Sequence, residues 1–431
     1  MKAAKPSRRP DSARAEDPSA SLVAGFWQAP AWEPVFAYVE DIEPWVEQRQ
    51  IELTAVPAPT HFEGLRAEWM LRQWQALGLR ASLDEAGNVV AERPGTDADA
   101  SLLALTAHLD TAFAPGTPVQ PERHGSRIWA PGISDNGAGL AGLLALARTL
   151  EAWGIRTRGP LLFVANVGEE GEGDLKGMRH LFGASPYAPR IGATVVLDGP
   201  GMDQVTTAAL PSRRLKVTIE GPGGHSWSDL GRASAVHGAA RVAAALLAQV
   251  QPRAEELGCN IGWMQGGSAV NAIAAEAHLK LDLRARDAAG LESLSQAVRR
   301  AVAMGVEQEN AAALSGGVRA RLEVIGERPG GELARDAPLW QVVRAVDRTL
   351  GIAALPQRAS TDANIPLSQG RPALRLGAGG QGGGVHTLQE WFDPTGRAVA
   401  LQRVLLLVLA WSRAADPANG GRAPRPSATA A

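Results

Sequence analysis

Leu102-Leu103-Ala104-Leu105-Thr106-Ala107-His108-Leu109-Asp110 is the stretch whose reading decides the fold. The run from Leu102 to Ala107 is apolar apart from Thr106, the pattern of a strand buried on both faces. It ends in His108 and Asp110, which project to the same side because side chains alternate along a strand. Outward from it, Ala138–Trp153 reads as a helix, Leu161–Asn166 as a second buried strand and Thr194–Leu197 as a third. Upstream, Val35–Glu47 and Glu63–Leu77 read as amphipathic helices, the first broken near Pro44. Strands alternating with helices predict an α/β fold, a mostly parallel sheet with helices on both faces.

Past residue 211 the pattern changes. Leu215–Glu220, Leu279–Arg284 and Val318–Val324 alternate apolar with polar, while Ser234–Val250 and Leu291–Val306 are helical. This predicts an inserted α+β unit of antiparallel strands with two helices on one face. The first style resumes after Pro329–Gly331, with Ala337–Leu350, Ala373–Leu376 and Ala398–Arg413. The organisation expected is a tail over 1–30, a first α/β piece over 31–211, an inserted unit over 212–327, a second α/β piece over 328–415 and a tail over 416–431. Both tails are rich in Pro, Ser, Ala and charge, too polar to build a core.

The 431 residues carry 43 Lys+Arg against 45 Asp+Glu, so no charge excess marks a nucleic-acid or anionic-membrane partner. No apolar run is long enough to span a bilayer, and no apolar segment follows the basic start. Cys259 is the only cysteine, which excludes an intrachain disulfide and fits a reducing compartment. The expectation is a cytoplasmic protein acting on a small molecule, with no nucleic acid or membrane partner.

Five segments carry candidate chemistry, each after a buried strand or in a glycine-rich loop, where open α/β sheets bind ligands. His108 and Asp110 suit a zinc ligand and the carboxylate that orients it, or equally a satisfied histidine near a turn. Asp135, in Gly132-Ile133-Ser134-Asp135-Asn136-Gly137, offers two oxygens able to bridge cations, although Asp135 or Asn136 would also serve as a helix cap. Glu169, Glu170, Glu172 and Asp174 form either an acidic surface loop or a pairing of metal ligand and proton carrier. Asp198 ends another apolar run, and His386 closes Gly382-Gly383-Gly384, where no Lys-Ser/Thr follows to make a phosphate loop. Singly each is weak. Together His108, Asp135, Glu170, Asp198 and His386 give two cations three ligands each if Asp135 bridges, with Glu169 left free beside them and a position open for water.

With these motifs assembled, the sequence resembles the co-catalytic zinc hydrolases that include peptidase T, carboxypeptidase G, aminoacylase and succinyl-diaminopimelate desuccinylase. The resemblance covers about residues 45 to 412 and rests on HLDT, GISDNGAG, NVGEEGEGDLKG, VVLDG, GPGGHSW, GGSAVNAI, DLRARD, STDAN and GGGVHTLQE. It implies two divalent ions per subunit, zinc first, with cobalt or manganese as alternatives. His108, Asp135 and Asp198 would hold one ion, and Asp135, Glu170 and His386 the other. It makes Asp110 the partner of His108 and Glu169 the general base acting on a metal-bound water. The bond before Asn136 resembles the family's cis peptide. The inserted unit resembles a lid and dimerisation domain, in which His225 reaches the partner subunit's site in a homodimer. Asn271 is similar to a substrate-binding position, and Arg284 pairs either with a substrate carboxylate or with an internal acid.

Asp rather than Glu at 198 tilts the resemblance towards aminopeptidases of di- and tripeptides. The alternatives are an N-acyl-amino-acid deacylase or a carboxypeptidase of the same fold, acting on N-acyl amino acids or peptides. A catalytically silent peptide-binding protein is disfavoured because Glu169 and all five ligands are present.

Overall fold

The computed structural model describes residues 18–250 and 257–417. The strand Leu102–His108 is buried along its whole length. Leu103, Leu105 and Ala107 face a core shared with the helices Gly137–Ala152 and Arg397–Trp411. Leu102 and Ala104 point the other way, to Met178 and Leu181 of the helix Lys176–Gly183. Each such leucine contributes about 1.5–3 kcal/mol by its burial, and the two-sided pattern forces a helix layer on each face.

This strand pairs in parallel with Leu161–Asn166 and Ile191–Leu197, and the latter pairs in parallel with Ala373–Leu376. Antiparallel strands flank this centre: Val89–Arg93 and Ala81–Leu83 on one side, Gln204–Ala209 on the other. The result is a nine-stranded sheet with a mainly parallel centre, as the α/β reading predicts. His108 and Asn166 lie side by side in register, so the carboxyl ends of the parallel strands share one edge.

A second, four-stranded antiparallel sheet runs in the order Leu257–Gly266, Glu276–Ala285, Ser212–Glu220, Arg319–Arg328. The helices Ala235–Gln249 and Ala288–Ala312 supply Val242 and Val298 to its core, against Val217, Leu279 and Leu281. In Glu276–Ala285 the leucines face this core, while Lys280, Asp282 and Arg284 face away from it. The chain passes between the two sheets at Leu210-Pro211 and returns at Pro329-Gly330. The strand Leu257–Gly266 carries Gly258, Gly262 and Gly266, which erase the apolar alternation that would have marked it.

One expectation changes. The tail expected over 1–30 is a helix from Pro18 to Gln28, with Val23 and Phe26 buried and Phe26 set edge-on to Trp32 at 5.2 Å between ring centres. Residues 1–17 and 418–431 of the expected tails lie outside the described residues. The polar average of that segment hides two apolar residues three apart, which suffice because the helix lies on Pro338–Leu350 and Arg397–Trp411. The break expected near Pro44 is present: two helices, Glu33–Asp41 and Glu43–Thr54, meet there, with Pro44 in the first turn of the second. No helix among the described residues is long and apolar enough to cross a membrane.

Candidate metal centre

The edge where the parallel strands end gathers the candidate ligands. His108 Nε2 lies 3.0 Å from Asp135 Oδ1 and 3.8 Å from Asp198 Oδ1. His386 Nε2 lies 3.3 Å from Asp135 Oδ2 and 2.8 Å from Glu170 Oε1. Asp135 thus presents one oxygen to each histidine, and all five residues line a cavity of about 140 Å3. One donor atom each from His108, Asp135 and Glu170 falls within 4.8 Å of the others, a grouping able to hold a metal ion.

Asp135 is held from behind. Glu390, fully buried, accepts from the backbone N–H of Ser134 and Asp135 at 2.9 Å each, from Ser134 Oγ at 2.7 Å and from Gly132 N–H at 2.8 Å. Asn136 caps the following helix, its Oδ1 accepting from Gly139 N–H at 3.0 Å, and its Nδ2 donates to Leu197 O at 2.9 Å. The capping role belongs to Asn136, which frees the Asp135 carboxylate for the cavity. A side chain at Gly139 would meet Leu197 O at 2.4 Å, so the helix can start this close to Asp198 only with glycine there. The Asp135–Asn136 peptide bond is cis.

Asp110 plays the matching part for the acidic loop. It is fully buried, and its oxygens accept from Glu169 N–H at 2.9 Å, Glu170 N–H at 2.8 Å and Thr60 Oγ1 at 3.0 Å. Its Oδ1 is 3.6 Å from His108 Nδ1, while its carbonyl is the nearer partner of that nitrogen at 3.0 Å. The loop can double back because Gly173 lies against Gly168, where an added Cβ would sit 2.6 Å from the Gly168 Cα.

Glu169 is not free. Its Oε1 accepts from Arg328 Nη1 at 2.8 Å, and the same guanidinium bonds the Glu169 carbonyl. Arg328 is the last residue of Arg319–Arg328, so the acidic loop is tied to the second sheet at the return crossing. The sequence signal for this arginine is only that it ends an alternating strand. Glu390 lies within a quoted motif without an assigned role, and only its burial reveals one.

Charge explains these contacts. Burial alone would lower the His108 pKa, but Asp110, Asp135 and Asp198 hold it well above the usual range. His386 is pushed up to about 10 by Asp135 and Glu170. Burial works against ionised Asp135, yet the two histidines hold its carboxyl well below the usual range. Clustered carboxylates demand positive charge, which protons on the histidines or bound cations can supply. Burial also raises Glu169 well above the usual range, against the pull of Arg328. Asp362 of the STDAN segment is fully buried with one oxygen bonded to Asn166 Nδ2 at 2.8 Å, and burial pushes it up to about 7.

Arg284 lines the cavity and also donates to Asp282 at 2.7 Å, so both of its expected contacts are available. His225 and Asn271 do not line it. They sit together on the exposed side of the second unit, where the Ser226 N–H donates to Asn271 O at 2.9 Å. His225 Nδ1 accepts from the backbone N–H of Trp227 at 3.2 Å, which fixes its ring.

A family model described as peptidase family M20/M25/M40 matches residues 104–410. An uncharacterised protein of Bacillus subtilis, YqjE, is 25% identical over 356 residues, which cover 79% of this chain and 91% of its own. Among solved structures, a tripeptidase from Staphylococcus aureus is 24% identical with a TM-score of 0.69, covering 86% of this chain and 99% of its own. The dipeptidase Dug1p from Saccharomyces cerevisiae is 14% identical with a TM-score of 0.72, covering 92% and 99%. A hydantoinase/carbamoylase family amidase from Burkholderia vietnamiensis is 19% identical with a TM-score of 0.68, covering 88% and 97%. The last three establish the fold, and the family match spans well over half of the sequence, so the chain belongs to peptidase family M20/M25/M40 and is a hydrolase of that peptide-cleaving family.

Proposed function

We propose that the protein is a two-metal aminopeptidase of di- and tripeptides. The observation that carries this reading is Asp135, whose two oxygens reach His108 at 3.0 Å and His386 at 3.3 Å from opposite sides. His108 and Asp198 would share one ion with Asp135, and Glu170 and His386 the other. The donors are imidazole and carboxylate only, which suits zinc and also cobalt or manganese. When bound, such ions polarise a carbonyl and acidify water.

The chain supplies the proton carrier and the positioning. Arg328 occupies Glu169 Oε1, so proton transfer falls to Oε2. Arg284, which lines the cavity from the second sheet, would receive a peptide carboxylate. His225 and Asn271 would serve the site of a partner subunit, with the second unit forming both lid and homodimer surface. The exposed Trp227, Leu230 and Val270 around them support such a surface. The lone half-buried Cys259 supports a cytoplasmic setting.

The names of the tripeptidase and dipeptidase support a free-peptide substrate, whereas the amidase keeps N-acyl or N-carbamoyl amino acids as the second reading. Purified protein loaded with zinc or manganese is to be screened against dipeptides, tripeptides and N-acyl amino acids. Amino acid release from free peptides is expected. Release only from the acylated set would move the protein to the deacylase reading.

A further inference from the structure

We infer that Asn364 is a positioning residue: it holds both chain connections to the second sheet at once and so, through Arg328, fixes where the Glu169 carboxylate stands. The consequence for turnover rests on the role proposed above for Glu169.

Asn364 opens the short helix Asn364–Ser368 and is fully buried. Its Nδ2 donates to Leu210 O at 3.0 Å and to Pro329 O at 2.9 Å. The chain enters the second unit after Leu210 and leaves it at Pro329, so one amide nitrogen bonds both crossings. Its Oδ1 accepts from Thr361 N–H at 2.8 Å. That bond settles the amide's orientation, since the reverse would set an oxygen against two carbonyls.

The segment that carries Asn364 also reaches the chemistry. Ser360 Oγ accepts at 3.2 Å from Arg328 Nη1, the nitrogen that also binds Glu169 Oε1. Asp362 accepts from Asn166 Nδ2, and Asn166 lies beside His108 in register. Just before them, Ala359 O accepts from Leu210 N–H at 2.9 Å. Residues 359–364 thus touch the entry crossing, the exit crossing, the Arg328 guanidinium and the edge that bears the candidate ligands.

The two units have separate apolar cores, an organisation for which relative motion is the default. The acidic loop adds links to the second sheet, Lys280 Nζ to Glu172 Oε1 at 2.5 Å and Glu327 N–H to Asp174 Oδ1 at 2.8 Å. Both are exposed, where water and salt weaken them. The Asn364 bonds are sheltered from water. Two buried carbonyls could be satisfied by any two donors. Taking both from one rigid amide also fixes the crossings relative to each other, and with them Arg328, which directly precedes Pro329.

The test measures the second unit against the first by pulsed electron spin resonance on the full chain. In a Cys259→Ser background, spin labels on Arg72→Cys in the helix Gly64–Ala76 and Glu307→Cys in the helix Ala288–Ala312 report the distance, with unlabelled protein added to dilute contacts between copies. A single narrow distance is expected with Asn364 in place. Asn364→Asp keeps the shape and the Thr361 bond but loses both donors. It should broaden or shift the distance and lower kcat/KM on the preferred peptide by about 10–100-fold at unchanged metal content. Asn364→Ala serves where the charged variant does not fold. Thr361→Ala removes the bond from Ala363 N–H at 3.1 Å in the same turn and touches neither crossing, so it should lower the Tm alone. A broad distance with Asn364 in place overturns the proposal. So does an unchanged distance or kcat/KM in the folded Asn364 variants, or an equal change in Thr361→Ala. If the wild type cleaves no peptide, the aminopeptidase reading fails, and the distances still uphold or overturn the hold of Asn364 on the crossings.

Discussion

The two walls of the metal-centre cavity are built on opposite terms. One, from the nine-stranded sheet, is made of short acidic and imidazole side chains locked from behind, with Asp110 and Glu390 fully buried. The other, from the second sheet, is made of Arg214, Arg284 and Arg328, long side chains reaching inward from strand ends. They meet at the Arg328–Glu169 pair. The first wall is held through backbone N–H donors to Asp110 and Glu390, the support that the proposed metal centre would require. The second offers charge at the end of flexible stems, as substrate capture requires. In the proposed reading, chemistry and recognition are divided between the two sheets.

The largest expected effect lies at the junction. Glu169→Gln keeps the Arg328 contact and the backbone but removes the proton acceptor. Turnover on the preferred peptide should fall by about 10²–10⁴-fold with metal content unchanged by elemental analysis. Turnover near the wild-type rate would show that Glu169 only joins the walls.

Glu390 tests the rigid wall while meeting a proposed ligand only at the Asp135 backbone N–H. It takes four hydrogen bonds from the Gly132–Asp135 loop, and burial raises its pKa against the pull of those donors. Glu390→Ala leaves buried N–H groups unpaired and lets Asp135 wander. Metal affinity, measured by competition with a chelator, should drop about 10–100-fold while the protein remains folded. An unchanged affinity would mean that the loop keeps its shape unaided.

The other wall should answer in a different parameter. Arg284→Met removes one guanidinium but none of the acidic framework. KM should rise roughly tenfold with kcat little changed, the pattern of lost substrate binding. A fall in kcat at constant KM would instead make the arginines part of the chemistry and erase the division between walls.

Legibility in the sequence follows the same line. The rigid wall is built where buried strands end, and runs such as Leu102–Ala107 announce themselves because both faces must be apolar. His108, Asp135, Glu170, Asp198 and His386 therefore stand out as candidates by position, and the structure brings them to one cavity. The arginine wall has no such marker. Arg214 and Arg328 reach the cavity only because Ser212–Glu220 pairs in register with Arg319–Arg328, a long-range fact that local pattern does not carry. Glu169 read as free for the same reason, its partner lying 159 residues away. Helix Pro18–Gln28 was hidden likewise, since its stability comes from the surface it covers rather than from its own composition.

Cys259 gives the smallest effect and the most direct view of the second sheet. It pairs in register with Leu283, beside Asp282, the residue that binds Arg284 at 2.7 Å and lies 3.7 Å from Arg214. Burial and then the Asp282 charge push the thiol up to about 11. The sign is that of an acid held protonated, so at pH 8 it carries roughly a hundredfold less thiolate than an unperturbed cysteine. Alkylation by iodoacetamide, followed by mass spectrometry, should be slower by a similar factor in native protein and recover on denaturation. Because Asp282 sets part of that shift, Asp282→Asn should speed labelling several-fold, and labelling as fast as a free thiol in the wild type would show that the sheet bearing the arginine wall is open at this edge.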